Sequence, residues 1–508
     1  SLRVNDYNMR QAMTDINDIF SGTASYPLEN LPKDNRWVTI CDTFPWAAAE
    51  RAYNKRLRNQ KAGAGNKPAR AVIGALIIKH TMCLSDEETM QAIVENPYMQ
   101  YLCGRKFYST EPLFTPELLS IVRKRVDEEF YNEMTLMLQK CLSEKGDTKE
   151  DDSYIDEDGN LHKGITKNDA TCSDAEMRYP TDVNLLEDGS RVLERVMQKI
   201  CKRSRIQMPH THRGDARSAF ILYIKYRNSK GGRKKSAYST KKTKARLLHF
   251  LSLDYQAFID LIGKLPIDDI GQILNRRDIR ELCALKKMFD QQKEMFDNNL
   301  HACADRIVSI FQPHVRPIVR GKERSKVEFG AKIGVSVVNG MTYIDHISWD
   351  AYNESSDLKM QIENYKERFG YYPSQVQADK IYLNKENRKL LEQLHIKCHC
   401  RPLGRPPKIT DSSEKDARRR ASAERNEVEG TFGTGKRVYR ANNIRAKLPE
   451  TARSWIAACY FAKNLMKFLR EFHCLLREKF GLLFVKRRKI HAEWPNALAS
   501  INSAAAAA

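Results

Sequence analysis

Two aspartates sit where carboxylates can do metal-assisted chemistry. Asp169 closes a run beginning at Ile165, and Asp379 follows the short run Gln375 to Ala378. Both runs read as strands, and in mixed α/β sheets reactive groups gather beyond the carboxyl ends of strands. Carboxylates on adjacent strands can share divalent ions, and two ions ~3.5–4 Å apart suit phosphodiester chemistry. One ion activates the attacking oxygen and the other stabilises the leaving one. A third acid is then needed, and residues 417–436 offer Glu424, Glu427 and Glu429. On a helix at ~100° per residue, Arg425 and Glu429 lie within about 40° of each other, and Glu427 points nearly the opposite way. Lys436 returns to within about 20° of Glu429 if the helix continues. Gly430, Gly433 and Gly435 each weaken that continuation by ~1 kcal/mol relative to Ala, so Lys436 is either helical or on a loop.

The charge calls for a polyanion. Lys and Arg number 86 against 64 Asp and Glu, a formal net charge of +22. Ten cations and no acid lie between Lys225 and Arg246, with Tyr223, Tyr226 and Tyr238 interleaved. A solvated helix face requires fewer, so the stretch reads as a phosphate-backbone binder centred on Arg233, Lys234 and Lys235. Other classes drop out. No apolar run approaches the ~20 residues that cross a bilayer. The 12 cysteines contain no C-x-x-C pair, which favours buried thiols in a reducing compartment over zinc. Cys398-His399-Cys400 and His210-x-His212 lack partner clusters. The opening residues carry no basic-then-apolar signal pattern, and the chain is expected in the cytoplasm.

The elements that must position these groups follow from the pattern. A length of 508 residues suggests about three domains. Residues 1–150 read as helices: Ala71 to His80, then one opened by a Ser85/Glu88 capping box and stopped at Asn96-Pro97. Thr115-Pro116 opens a third, which leads to Arg123, Lys124 and Arg125; such a basic third helix is compatible with a DNA-binding helix-turn-helix and equally with a plain helical bundle whose basic face is solvated. Residues 151–183 read as a hairpin at Asp158-Gly159 and the Asp169 strand. Residues 184–314 are a charged helical insertion. Residues 315–440 return to strands, with a hairpin at Asn339-Gly340, a helix closed by Gly370, the Asp379 strand, a helix opened by Asn384 and a possible strand at His395 to Cys400. Residues 441–508 are helices and a basic tail. The fold class is mixed α/β, with one sheet split by the helical insertion.

Arg425-x3-Glu429-x6-Lys436 resembles the signature around the catalytic Glu of bacterial insertion-sequence DDE transposases of the IS-four/IS-five superfamily. The resemblance runs collinearly through Leu84 to Leu102, Asn168 to Leu186, Val315 to Val338, Ser348 to Lys359, Ala378 to Tyr382, Leu403 to Lys408, Arg425 to Arg437 and Ala446 to Thr451. It implies a ribonuclease H-like catalytic domain with Asp169, Asp379 and Glu429 as catalytic metal ligands. It also implies two Mg²⁺ ions, replaceable by Mn²⁺, and contacts from Arg425 and Lys436 to DNA near the cleaved end. The family's signature often carries a Tyr upstream, where Ser422 stands here.

By this resemblance the chain cuts double-stranded DNA at its element's terminal repeats and joins the 3′-hydroxyl ends to target DNA. It acts as at least a dimer at the nucleoid. Two rivals remain: a catalytically silent DNA-binding relative, and a metal-dependent nuclease that does not join. Gly430 to Lys436 also matches a phosphate-binding loop, but Arg437 replaces the Ser or Thr and a helix, not a strand, precedes it. Asp174 and Asp182 compete with Asp169, and hydrogen bonding is the expected role of both.

Overall fold

The computed structural model describes residues 27–57, 65–143, 153–229, 237–319, 327–399 and 412–474. Among these residues a short 3-10 turn at Leu28–Asn30 is followed by α-helices α1 (Arg36–Thr43), α2 (Trp46–Lys55), α3 (Ala69–Met82), α4 (Asp86–Glu95), α5 (Pro97–Leu102), α6 (Glu117–Val122) and α7 (Glu128–Ser143). The Ser85/Glu88 capping box opens α4, and the Asn96 side chain caps α5. Helix α3 is apolar on every side and buried from Ala71 through His80, as befits a helix enclosed by others.

A small hairpin, β1 (Tyr154–Ile155) and β2 (Leu161–His162), precedes the long β3 (Ile165–Asp174). The insertion follows as α8 (Asp182–Ser204), α9 (Arg213–Ser229), α10 (Ala237–Ile262), α11 (Ile267–Ile273) and α12 (Arg276–Asp297). It has its own core, including Leu193, Val196, Leu251, Leu285 and Met288. The chain returns through β4 (Arg316–Val319), β5 (Val327–Val338), β6 (Met341–Ser348), α13 (Leu358–Phe369), β7 (Gln375–Ala378), α14 (Lys385–Gln393) and α15 (Ser412–Arg437). A last helix, α16, occupies residues 449–474.

The main sheet is mixed and centred on β5. Strand β3 pairs with it antiparallel on one side, β6 and β4 pair with it on the other, and β7 runs parallel to β3 on the outer edge. Asn339 (φ 51°) and Gly340 (φ 71°) make the β5–β6 turn, whose left-handed positions match the Asn-Gly signal. Gly370 closes α13 in the left-handed conformation, and Asn384 caps α14.

Three details differ from the sequence reading. Strand β3 does not end near Asp169 but runs on to Asp174, because Ala170 to Asp174 pair with Gly334 to Gly330. Strand β4 was not anticipated; its four residues include Pro317, which local pattern counts against a strand. Residues 395–399 form no strand, only a single bridge between Lys397 and Gln375.

One core joins the N-terminal helices to the sheet and to α16. Ile73, Ile77, Phe130 and Leu138 share it with Ile333, Val335 and Val337 of β5 and with Ile456, Leu465 and Phe468. On the other face, Leu358, Ile362, Val376, Tyr382 and Leu391 make a second cluster under α13 and α14.

Candidate active site

The register brings the two aspartates together. Asn168 pairs with Ala378 across the parallel β3–β7 ladder, so Asp169 of β3 and Asp379, just past the end of β7, are the next residues along. Strands so paired lie ~4.8 Å apart and in-register residues share a face. Strand β7 stops there while β3 continues to Asp174, whose C=O accepts from the Ile444 N–H at 3.0 Å. Each carboxylate accepts a backbone N–H: Ala170 N–H to Asp169 Oδ1 at 2.8 Å, and Lys380 N–H to Asp379 Oδ1 at 2.7 Å.

Behind the sheet a buried network holds this segment in place. Asn168 donates to Ser336 Oγ (3.0 Å), Ser336 donates to Asp345 (2.5 Å), and Arg368 and Asn364 donate to the other oxygen of Asp345.

Helix α15 crosses the sheet over this point. Ala421, Val428 and Phe432 turn inward and fix its rotation. Gln377 of β7 donates to Glu424 and Lys167 of β3 donates to Glu427, both at 2.6 Å. Arg425 reaches Asp169, Nη1 to Oδ2, at 3.5 Å. Glu424 and Glu427 are thereby engaged in bracing the helix. Glu429 lies one turn beyond Arg425 and is exposed. Among the described residues no three His, Cys, Asp or Glu side chains form a group able to hold a metal ion. Asp169 and Asp379 are brought together; Glu429 is on the adjoining helix but not gathered to them.

Helix α15 continues through all three glycines to Arg437, so Lys436 is helical and half-buried. Gly435 is there for space: a Cβ would come within 2.7 Å of the Tyr460 ring.

The electrostatics single out Asp169. Burial pushes its carboxyl up to about 6; the Ala170 N–H and Arg425 pull it down, while Glu354 and Asp379 push it further up. A buried carboxylate facing two other acids lacks positive charge, and Arg425 supplies it only at long range. A divalent cation fits that deficit. Sequence reasoning missed Glu354. It is held by Lys332 at 3.0 Å, just ahead of α13, inside the Ser348 to Lys359 block that carried the family resemblance. Tyr382, fully buried beside the Asp379 turn, has its hydroxyl pushed far up by burial and then by Glu354.

The remaining expected DNA contacts divide. Arg123, expected at the DNA, is 7% exposed and grips Asp86 with both terminal nitrogens, at 2.7 and 2.6 Å, under the Trp455 ring. Burial alone would raise the Asp86 carboxyl, but bonds from Arg123 and Lys79 outweigh it and hold the carboxyl low. Arg123 is a strut between α4 and the end of α6. Arg125 is half-buried beside the Tyr53 hydroxyl. Arg233, Lys234 and Lys235 lie outside the described residues. Of their neighbours, Lys225, Lys241, Lys242 and Arg246 are exposed, whereas Lys244 pairs with Asp182 at 2.6 Å. Asp182 also accepts from Arg306 and Gln292, which accounts for it structurally.

Two segments of the chain are similar to known protein families. Residues 376–466 match the family model described as Transposase DDE domain, and residues 26–125 match Transposase domain (DUF772). Both matches are to domains described as transposase domains. The first spans Asp379 and all of Arg425, Glu429 and Lys436; Asp169 and the insertion fall outside both. In particular, 97 residues, 19% of the chain, are 31% identical to "Uncharacterized protein ORF8 in nfe locus" of Rhizobium meliloti. The chain spans 46% of that relative's length. No solved structure matches the chain. No helix among the described residues is long and apolar enough to cross a membrane.

Proposed function

We propose that the chain is an insertion-sequence transposase of the DDE type that cleaves double-stranded DNA at its element's ends and joins the freed 3′-hydroxyls to target DNA. The observation that carries this reading is the in-register pair Asp169 and Asp379, crossed by the helix that bears Arg425, Glu429 and Lys436. A ribonuclease H-like domain accounts for the strand arrangement, with β6, β5 and β3 antiparallel, β7 parallel to β3, and the acids on β3 and after β7.

Asp169, Asp379 and Glu429 would hold the divalent ions, Mg²⁺ or Mn²⁺. Bound there, such ions supply activation of the attacking oxygen and stabilisation of the leaving one. The chain's own residues do the rest. The Ala170 and Lys380 N–H groups orient the two aspartates, and the Asn168–Ser336–Asp345 network fixes β3 beneath them. Arg425 and Lys436 hold the DNA backbone beside the acids, and the exposed cations of the insertion grip it farther out. Two element ends handled together call for two copies of the chain.

The exposure of Glu429 favours one second reading, a DNA-binding relative without cleavage. A labelled duplex carrying the element end, incubated with Mg²⁺, separates these. The transposase reading requires nicked and strand-transfer products from the wild type. It also requires Asp169→Asn to lose at least about 100-fold in rate, roughly 2.7 kcal/mol, with DNA binding retained. Binding without any cleavage supports the silent relative, and cleavage without joining supports a nuclease.

A further inference from the structure

We propose that Arg425 is a built-in counter-ion that holds the cation's place at Asp169 until a DNA phosphodiester draws it away. The inference rests on the transposase reading above and adds an order of events to it: DNA first, divalent ion second.

The geometry of Arg425 is that of a releasable contact. Asp169 Oδ1 is taken by the Ala170 N–H, and Arg425 Nη1 stands 3.5 Å from Oδ2. The pair is single and long, with the side chains 21% and 15% exposed. Arg123 and Asp86 show what a permanent pair looks like in the same chain: two bonds, at 2.7 and 2.6 Å, with the arginine side chain 8% exposed. A guanidinium prefers two parallel bonds to a phosphate or carboxylate, which Arg425 does not have at Asp169. A phosphodiester at the helix border offers them.

The helix need not move for this exchange. Val428 and Phe432 are buried, and Glu424 and Glu427 are bonded to β7 and β3, so the backbone of α15 is held while the Arg425 side chain pivots. As long as Arg425 covers Oδ2, a divalent ion at Asp169 meets a like charge. Once the guanidinium is bound to DNA, that repulsion is relieved and the carboxylate is open.

The test is Mn²⁺ binding to the full chain at pH 8, read by the electron paramagnetic resonance signal of free Mn²⁺, with and without duplex DNA. Without DNA, Arg425→Ala is expected to bind Mn²⁺ about 10-fold tighter than wild type, a difference of about 1.4 kcal/mol. Duplex DNA should tighten Mn²⁺ binding to the wild type and leave Arg425→Ala nearly unchanged. In an Asp169→Asn background the Arg425 substitution should have no effect. Arg425→Gln, closer in size, repeats the comparison if circular dichroism shows the Ala variant misfolded. If Asp169→Asn removes Mn²⁺ binding but neither Arg425 variant tightens it, the counter-ion role is overturned and the acidic site stands. If Asp169→Asn changes Mn²⁺ binding in no background, the acidic-site reading falls with it.

Discussion

Asp169 and Asp379 are adjacent in space because Asn168 pairs with Ala378, one residue before each, on parallel strands. A slip of one residue in that ladder would send one carboxylate to the opposite face. The register is held on both sides. Asn168 bonds Ser336 of β5, and Val376 is buried beneath α13. Sheet pairing thus places Asp169 on β3 beside the start of the turn that carries Asp379.

This placement makes stability depend on pH. Asp169 titrates near 6 in the folded chain, above the ordinary 3.8, so the folded state holds that proton more tightly than the unfolded state. Above pH 6 the folded chain carries a buried charge and the full penalty. The penalty fades as pH falls from 6 towards 4, where the unfolded carboxyl also protonates. With divalent ions chelated, Asp169→Asn should therefore stabilise the chain at pH 8 by up to about 3 kcal/mol and by much less at pH 4.5. Urea unfolding at the two pH values measures it. An equal gain at both would place the cause elsewhere.

Variants at Glu429 and Glu427 would separate the proposed chemistry from bracing. Glu429 is exposed, so Glu429→Gln should change stability by less than about 0.5 kcal/mol while reducing cleavage at least about 100-fold. Glu427 accepts from Lys167 at 2.6 Å with 40% of its side chain exposed, so Glu427→Gln should cost at most about 1 kcal/mol and spare cleavage. The reverse pattern would move the third acid to Glu427.

How much of this could be read along the chain depends on where each signal lives. The Asn339-Gly340 turn, the Gly370 and Asn384 caps and the β7 strand follow from residues within a few positions, and they stand where local chemistry puts them. The length of β3 does not, because Ala170 to Asp174 are strand only by pairing with distant β5. Helix α15 survives three glycines because Gly435 packs on Tyr460, a contact that no local propensity contains. The acidic pair was legible by residue type and family resemblance. Glu354 was not, since its approach to Asp169 depends on how residues 349–357 pass the sheet.

Arg123 pairs with Asp86, which also holds Lys79. Arg123→Ala leaves Asp86 and Lys79 with a broken buried network, which should cost about 3–5 kcal/mol. The slope of log DNA affinity against log salt should not change for the fraction that remains folded. A flatter slope with unchanged stability would return Arg123 to the DNA surface.

The insertion should contribute grip without sequence preference. Replacing Arg233, Lys234 and Lys235 together by Ala should weaken binding equally for element-end and unrelated duplexes, since phosphate contacts carry no direct sequence information. At ~0.9 per contact, the salt slope should flatten by up to about 3. Unchanged slope and affinity would show that the cluster is merely solvated.

Asp169, Asp379 and Glu429 are proposed to form one metal site when DNA is present. Its most direct test is the anomalous diffraction signal of Mn²⁺ in crystals of the full chain bound to an element-end duplex. Mn²⁺ is expected between Asp169 and Asp379, with a Glu429 oxygen within about 2.5 Å of an ion and Arg425 on a phosphate. Mn²⁺ bound elsewhere, or Glu429 still facing solvent beside an occupied aspartate pair, would contradict it.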